Sequence, residues 1–278
     1  MRLTRESLSL PRSVEPDVEI FAIGDIHGRS DLLEALLEAA SREPRLAPRR
    51  RLVFLGDIVD RGPDNLGAIR LALRAAETIG ADDVVNLMGN HETMMRMALD
   101  PATARFEAHE AFQSWLNNGG GRVVAEILHT DRPPADPDEL RNAVRHALPL
   151  EVERWLETLV PHVRSGDVLF VHAGLNPRIP LRDMLATPWN MPLGAVAPDA
   201  HWAWVRRPFL EHQPGPDGWS GFFVVHGHSP NDSRYTTSAA AQVRRFRLNL
   251  DGGSAVTGVA KMGILRGAFA EVVTASAR

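Results

Sequence analysis

The sequence contains no cysteine. That excludes disulfides and thiolate metal sites together, so any bound metal must rest on nitrogen and oxygen ligands. Lysine is nearly absent, Lys261 being the only one. Cationic charge is therefore almost all arginine, and a doublet such as Arg206-Arg207 carries little weight by itself. There is no basic excess: the net charge of -4 argues against a dedicated nucleic-acid binder. No uninterrupted apolar run reaches membrane-spanning length, and Met1 to Glu19 lacks the apolar core of a signal peptide. A cytoplasmic chain with no membrane partner is expected. What remains is an ordinary globular composition, 278 residues with 44% hydrophobic and 24% charged, enough to bury one full core.

The chain is organised around residues 51–62. An apolar run, Leu52 to Leu55, reads as a short buried strand that ends at Gly56. Asp57, Asp60 and Arg61 follow at once. Charges crowded at a strand end are costly unless they bind something, and a divalent cation with an anionic oxygen would satisfy all three. In isolation a solvated turn with a local ion pair would look the same. Repetition separates the two readings. Apolar runs also lead into Asp25 and His27, into Asn90, His91 and Glu92, into His172, and into His226 and His228. Ligands in open α/β sheets gather beyond the carboxyl ends of strands. Five strands ending in Asp, Asn and His suit a two-metal centre.

In order, residues 1–17 read as a polar, extended N-terminal arm, and residues 18–275 as the catalytic domain. Ser30 or Asp31 can cap a helix carrying Leu32, Leu33, Leu36 and Leu37. Pro63 and Asp64 open a second, which Gly80 stops. Strand-helix-strand-helix-strand predicts a parallel core. From about 93 to 160 the pattern is all helical and reads as an insert beside the site. Phe112, Trp115 and Leu116 mark one helix ending at Asn117 to Gly121, and a second pair breaks around Pro149. His109, His129 and His146 lie there without ligand spacing. A strand pair follows with a Ser-Gly turn near Gly166, then a long segment, Thr187 to Gly221, rich in Pro, Gly and Trp. The tail, 242–250, 259–266 and 268–273, predicts a second and more antiparallel sheet packed on the first.

The motifs GDIHG at 24–28, GDIVDRG at 56–62, GNHE at 89–92, VHAG at 171–174 and HGHS at 226–229 resemble the signature series of the phosphoprotein phosphatase family of metallophosphoesterases, in a bacterial-type member. The resemblance spans roughly residues 20–267. It implies an α/β/β/α sandwich of two mixed sheets with a helical insert. Two divalent cations are implied, manganese first, with iron or zinc admissible and calcium disfavoured by a His-rich shell. By resemblance Asp25 and His27 hold the first ion, Asp57 bridges, and Asn90, His172 and a histidine of the 226/228 pair hold the second. His228 is the favoured ligand, which leaves His226 behind it. Such a pair acidifies a shared water towards neutrality, for in-line attack on phosphorus.

Arg61 resembles the family's phosphate-clamping arginine, whose planar fork suits two phosphoryl oxygens. His91 matches its general acid, and Asp60 would orient that ring. Trp204-Val-Arg206 is similar to an element that supplies a second arginine, with Arg207 as the rival. Tyr235 gives no match to a tyrosine that some members place over the site. The resemblance implies a monomer-compatible protein serine/threonine phosphatase acting on phosphoproteins or phosphopeptides, with phosphotyrosine also in reach. A bis(5'-nucleosyl)-tetraphosphatase shares the fold and most motifs, and Glu92 weighs against it because those hydrolases more often carry Asp there. A non-catalytic phosphopeptide-binding scaffold is the remaining reading, disfavoured because every ligand and acid for turnover is present.

Overall fold

A computed structural model describes residues 1–130, 132–195, 197–230 and 238–277. Tyr235 lies outside the described residues. Ten strands form two sheets: β1 (Arg2–Ser9), β2 (Val18–Ile23), β3 (Arg49–Phe54), β4 (Asp83–Asn86), β5 (His162–Ser165), β6 (Val168–Val171), β7 (Phe223–His226), β8 (Arg247–Asn249), β9 (Val259–Arg266) and β10 (Phe269–Ser276). The first sheet runs β1-β10-β9-β2-β3-β4 and the second β5-β6-β7-β8.

Alternation along each central strand builds the layers. Ile20 and Ala22 of β2, with Val53 and Leu55 at β3, face Val168, Phe170, Phe223, Val225 and Leu248 in a core between the sheets. Their neighbours Phe21, Ile23, Leu52 and Phe54 point the other way, into a core shared with helices. The helices on that side are α1 (Ser30–Ser41) and α2 (Asn65–Ile79). Both are crossovers of the expected parallel unit, since β2 pairs parallel with β3 and β3 with β4. Asp64 caps α2 by accepting from the Gly67 N–H, and Gly80 closes it. At α1 the expected cap is absent: Arg29 occupies the position without a side-chain bond. Ser30 instead donates to Asp64 at 2.5 Å, and Asp31 pairs with Arg29.

One expectation, about the tail, needs correction, and the N-terminal arm and the insert gain detail. The N-terminal arm is not free: β1 pairs antiparallel with β10 along eight residues. Its charged, mostly exposed residues suit an edge strand, where charge deters pairing with other chains. The tail does not build the second sheet alone. Only β8 joins it, whereas the β9–β10 hairpin takes the open side of β2, antiparallel. The second sheet is consequently the more parallel, with β6-β7-β8 parallel and β5-β6 antiparallel. Finally, the insert comprises α3 (Asn90–Leu99), α4 (Arg105–Trp115), α5 (Gly121–Leu128), α6 (Pro137–Ala147) and α7 (Leu150–Glu157). The chain does not leave the helical layer after Trp115. Between Leu116 and Gly120 the chain kinks at Gly119, whose φ of 111° is not helical, and α5 starts at Gly121, as the expected helix end at Asn117 to Gly121 requires. The kink brings the Gly119 carbonyl to the Arg61 N–H at 3.2 Å, so close that a side chain at 119 would strike Arg61.

Candidate metal centre

Asp25, Asp57, Asn90, His172 and His228 each follow the carboxyl end of a strand, β2, β3, β4, β6 and β7 in turn. The structure brings all five together, with His27, Asp60, Arg61, His91 and Arg206 around them. Asp57 is the hinge. Its Oδ1 accepts the His91 backbone N–H at 3.1 Å. Its Oδ2 lies 3.4 Å from His172 Nε2, 3.6 Å from His27 Nε2 and 3.9 Å from His91 Nε2. Among the described residues, two donor sets form around it: His27 with Asp57 and His91, and Asp57 with His172 and His228. Ligands held at about 2.0–2.2 Å from one ion sit roughly 3–4 Å from one another, so these spacings fit a cation in each set.

The rings are pre-aimed by their second nitrogens. His27 Nδ1 faces the Val59 carbonyl at 2.9 Å and His172 Nδ1 the Leu55 carbonyl at 2.8 Å. Each backbone contact leaves Nε2 as the donor to an ion, the usual arrangement of a metal-binding imidazole. Asn90 Oδ1 approaches His172 Nε2 at 3.2 Å. His228 Nε2 donates to the Trp204 carbonyl at 3.2 Å, which leaves Nδ1 for the centre. The structure thus places His228, and not His226, in a donor set. His226 is buried against the Phe209 ring and within 3.3 Å of Arg247.

Asp25 enters differently. Its two oxygens accept the His228 backbone N–H at 3.2 and 3.0 Å, and a side chain at Gly227 would overlap them. Burial first, then the charges of Asp251 and Asp57, push the Asp25 carboxyl well above the usual carboxylate range. Asp57 goes the other way: burial opposes ionisation, but His172, His91 and His27 together hold it well below that range. Three buried carboxylates this close call for cationic charge.

His91 and Asp60 form a fully buried pair, Nδ1 to Oδ2 at 2.6 Å. Burial drives His91 down to about 4 and Asp60 well above the carboxylate range. In each case burial is the leading cause, since it disfavours the charged form of either group. Trp115 donates its indole N–H to both Asp60 oxygens, at 2.9 and 3.0 Å. Arg61 spreads its fork between His27 Nε2 at 2.9 Å and His91 Nε2 at 2.8 Å, and its Nε donates to the Asn118 carbonyl at 3.3 Å. Arg206 donates to the His228 carbonyl at 2.9 Å and Ser229 Oγ at 2.8 Å. Arg207 lines a separate groove with Pro177, Arg178 and Asp199. Arg206 is therefore the arginine at the centre.

Several contributors were not legible as such. Trp115 was read only as a helix position, although a buried indole N–H needs an acceptor. Asp251 carries no motif and accepts from the Gly253 N–H at 2.7 Å. Glu92 was read for its bearing on substrate, yet it has no exposed surface. Its carboxylate accepts from Asp57 and Ile58 at 2.8 Å, Gly89 at 3.0 Å and Val59 at 3.4 Å. Burial and the Asp57 charge push it up to about 7 against those donors. His109, His129 and His146 stay outside both donor sets. His109 pairs with Asp138 at 2.9 Å, His129 ends α5, and His146 Nδ1 lies 2.7 Å from the Asn142 carbonyl.

A two-sheet sandwich with Asp, Asn and His converging beyond strand ends defines a metallophosphoesterase. Residues 18–258 match the calcineurin-like phosphoesterase family, and the chain belongs to it. Among relatives, a symmetrical bis(5'-nucleosyl)-tetraphosphatase of Acidovorax sp. (strain JS42) is 32% identical over 167 residues, 60% of this chain and 48% of that one. The asymmetrical bis(5'-nucleosyl)-tetraphosphatase PrpE of Oceanobacillus iheyensis is 25% identical over 220 residues, 77% of this chain and 78% of that one. Serine/threonine-protein phosphatase 1 of Salmonella typhimurium is 38% identical over 111 residues, 38% of this chain and 43% of that one. The chain thus spans about half the length of the first of these relatives. A solved cold-active protein-tyrosine phosphatase of a psychrophilic Shewanella sp. superimposes with a TM-score of 0.55 at 16% identity, over 91% of this chain and 78% of that one. That likeness bears on fold alone. Among the described residues no helix is long and apolar enough to cross a membrane.

Proposed function

We propose that the chain hydrolyses dinucleoside polyphosphates, with bis(5'-nucleosyl) tetraphosphates as the substrate class. The observation that carries the chemistry is Asp57 shared between two clusters of donor atoms, His27–Asp57–His91 and Asp57–His172–His228; of the first cluster the proposal takes His27 and Asp57 as ligands, adds Asp25 from outside it, and keeps His91 as the acid. In the proposed site Asp25, His27 and Asp57 hold one divalent cation, and Asp57, Asn90, His172 and His228 a second. Manganese suits these donors, as do iron and zinc. Such a pair supplies Lewis-acid charge and an acidified water. The protein's own groups do the rest. Arg61 and Arg206 orient the phosphoryl oxygens through charge-assisted hydrogen bonds. The phosphorus gains an oxygen from water and loses its bridging oxygen to the departing nucleotide, which His91 protonates. Asp60, fixed by Trp115, holds the His91 ring for that transfer.

The choice of substrate rests on the relatives, because Glu92 favours neither reading. The serine/threonine phosphatase reading leaned on that residue, and its carboxylate is consumed by four backbone N–H groups. It therefore discriminates nothing. The tetraphosphatase relatives align over more of the chain than the protein phosphatase does. The Salmonella relative keeps phosphopeptide hydrolysis as the second reading. The test is kcat/KM with added manganese for diadenosine tetraphosphate, a phosphoserine peptide and a phosphotyrosine peptide. Faster turnover of either peptide than of the dinucleotide would overturn the proposal and leave the metal centre standing.

A further inference from the structure

Beside the metal centre, a cleft of about 180 Å³ opens between the helical insert and the 187–210 segment, lined by Met94, Ser114, Asn118, Leu193, Pro198 and Trp204. Both walls are tied to the centre. The Asn118 carbonyl accepts from Arg61 Nε at 3.3 Å, and the Trp204 carbonyl from His228 Nε2 at 3.2 Å. Met94 stands one turn along α3 from Asn90 and His91. A group seated here is thus within reach of a phosphate held by Arg61 and Arg206.

The shape and chemistry of the cleft select that group. Its volume is below the roughly 300–1,000 Å³ of sites that take a whole ligand, so it fits one ring system. Trp204 is half-buried, and His201 packs edge-on against it with ring centroids 4.7 Å apart, which fixes the indole plane. A thioether, a leucine and a proline complete an apolar slot around that plane. Asn118 donates its amide N–H groups to the Ser114 carbonyl at 2.7 Å and to Met94 Sδ at 3.8 Å, which fixes the amide at the rim of the slot. Larger cavities, of about 320, 380 and 360 Å³, contain none of these residues.

From this geometry we infer that the cleft is a nucleobase subsite, in which Trp204 stacks one purine of the substrate. The inference rests on the dinucleotide reading above and adds the residues that would recognise the nucleoside. Its test separates the two. ADP and pyrophosphate carry the same phosphates and differ by the nucleoside, and both are measured as competitive inhibitors of the manganese-loaded enzyme. ADP is expected to bind on the order of ten- to a hundredfold more tightly, the range that stacking of one base on an aromatic side chain supplies. Trp204→Ala and Ser114→Phe, which remove the platform and fill the slot respectively, should erase most of that advantage. Trp204→Phe should keep most of it. Equal affinities in the unaltered protein, or an ADP advantage that survives both Trp204→Ala and Ser114→Phe, would overturn the subsite. If the advantage is present and is lost as expected while a phosphopeptide is hydrolysed faster than the dinucleotide, the substrate reading fails and the subsite stands.

Discussion

Replacing Glu92 with glutamine tests whether this buried carboxylate is a scaffold for Asp57. Each oxygen accepts two backbone N–H groups: Oε1 from Ile58 and Val59, Oε2 from Asp57 and Gly89. A glutamine can satisfy one of these pairs with its oxygen. Its NH2 must then face the other pair, and the lower-energy choice is Ile58 and Val59, because the Val59 contact is already long at 3.4 Å. A buried donor left without an acceptor costs about 1–3 kcal/mol, so the variant should lose about 2 kcal/mol. Alanine, which abandons all four donors, should lose about 4 kcal/mol by the same reasoning. Against a total of roughly 5–15 kcal/mol, the glutamine protein still folds. Asp57 keeps its own N–H bond, now to the glutamine oxygen, but Ile58 and Val59 next to it in the chain lose theirs, so the turn that aims Asp57 loosens and manganese affinity should also fall, about tenfold as for other groups that support ligands. Urea unfolding of metal-free protein gives the first quantity and calorimetric titration with manganese the second. The ratio of kcat/KM for dinucleotide over phosphopeptide should not move. A variant with unchanged stability and unchanged manganese affinity, or with a shifted substrate ratio, would refute the scaffold role.

Asp57→Asn removes the shared charge of both donor sets and should empty them together, so that bound metal measured by elemental analysis falls for both ions at once. His91→Asn should retain metal yet lower kcat on the order of 10²–10⁴-fold; full turnover would exclude it as the acid. Arg206→Ala should raise KM at least tenfold, as loss of a charge-assisted hydrogen bond to phosphate does, whereas Arg207→Ala should leave it unchanged. His201 gives a pH signature. Burial holds it at about 4, below its ordinary 6.5, and its Nδ1 accepts the Ala203 N–H at 3.0 Å. Below 6.5 the unfolded chain takes up a proton that the folded one refuses until about 4. Its contribution is therefore complete above 6.5 and is lost as pH falls, amounting to about 2 kcal/mol at pH 5. His201→Gln should flatten urea stability between pH 7 and pH 5 by that amount, and an unchanged slope would argue against a neutral buried ring.

The metal centre was legible because its signals are local. A β-strand followed by glycine and a ligand residue is written within six or seven positions, and five such stretches announced Asp25, Asp57, Asn90, His172 and the 226/228 pair. Sheet membership was not legible, since nothing within 259–273 says that β9 will take the open side of β2 rather than extend the other sheet. The choice between His226 and His228 was also non-local. It depends on Trp204 and Arg247, 24 and 21 residues away from the histidine each contacts. The same holds for the insert. Its helices were evident from apolar spacing, but their use was not, because Trp115 meets Asp60 across 55 residues and Gly119 meets Arg61 through backbone atoms alone.

That backbone contact points to what the insert contributes. His27, Asp57, Asp60, Arg61 and His228 all have positive φ, between 46° and 75°, where residues with a Cβ pay on the order of 1–3 kcal/mol each. A chain continuing as a strand would send Asp60 to the face opposite Asp57 and Arg61; the left-handed turns send all three to one side. The summed strain, roughly 5–15 kcal/mol, is comparable with the whole stability of a domain, so it persists only where contacts oppose it. Those contacts are Glu92 on the Asp57 to Val59 backbone, the Val59 carbonyl on His27, the Gly119 carbonyl on Arg61 and the Trp115 indole on Asp60. Three of the four come from the insert, Glu92 from the first turn of α3 and Trp115 and Gly119 from beyond it. It therefore acts as the brace that keeps Asp60 and Arg61 in a conformation the strand end alone would not hold, and the acid pair and the phosphate fork depend on that brace.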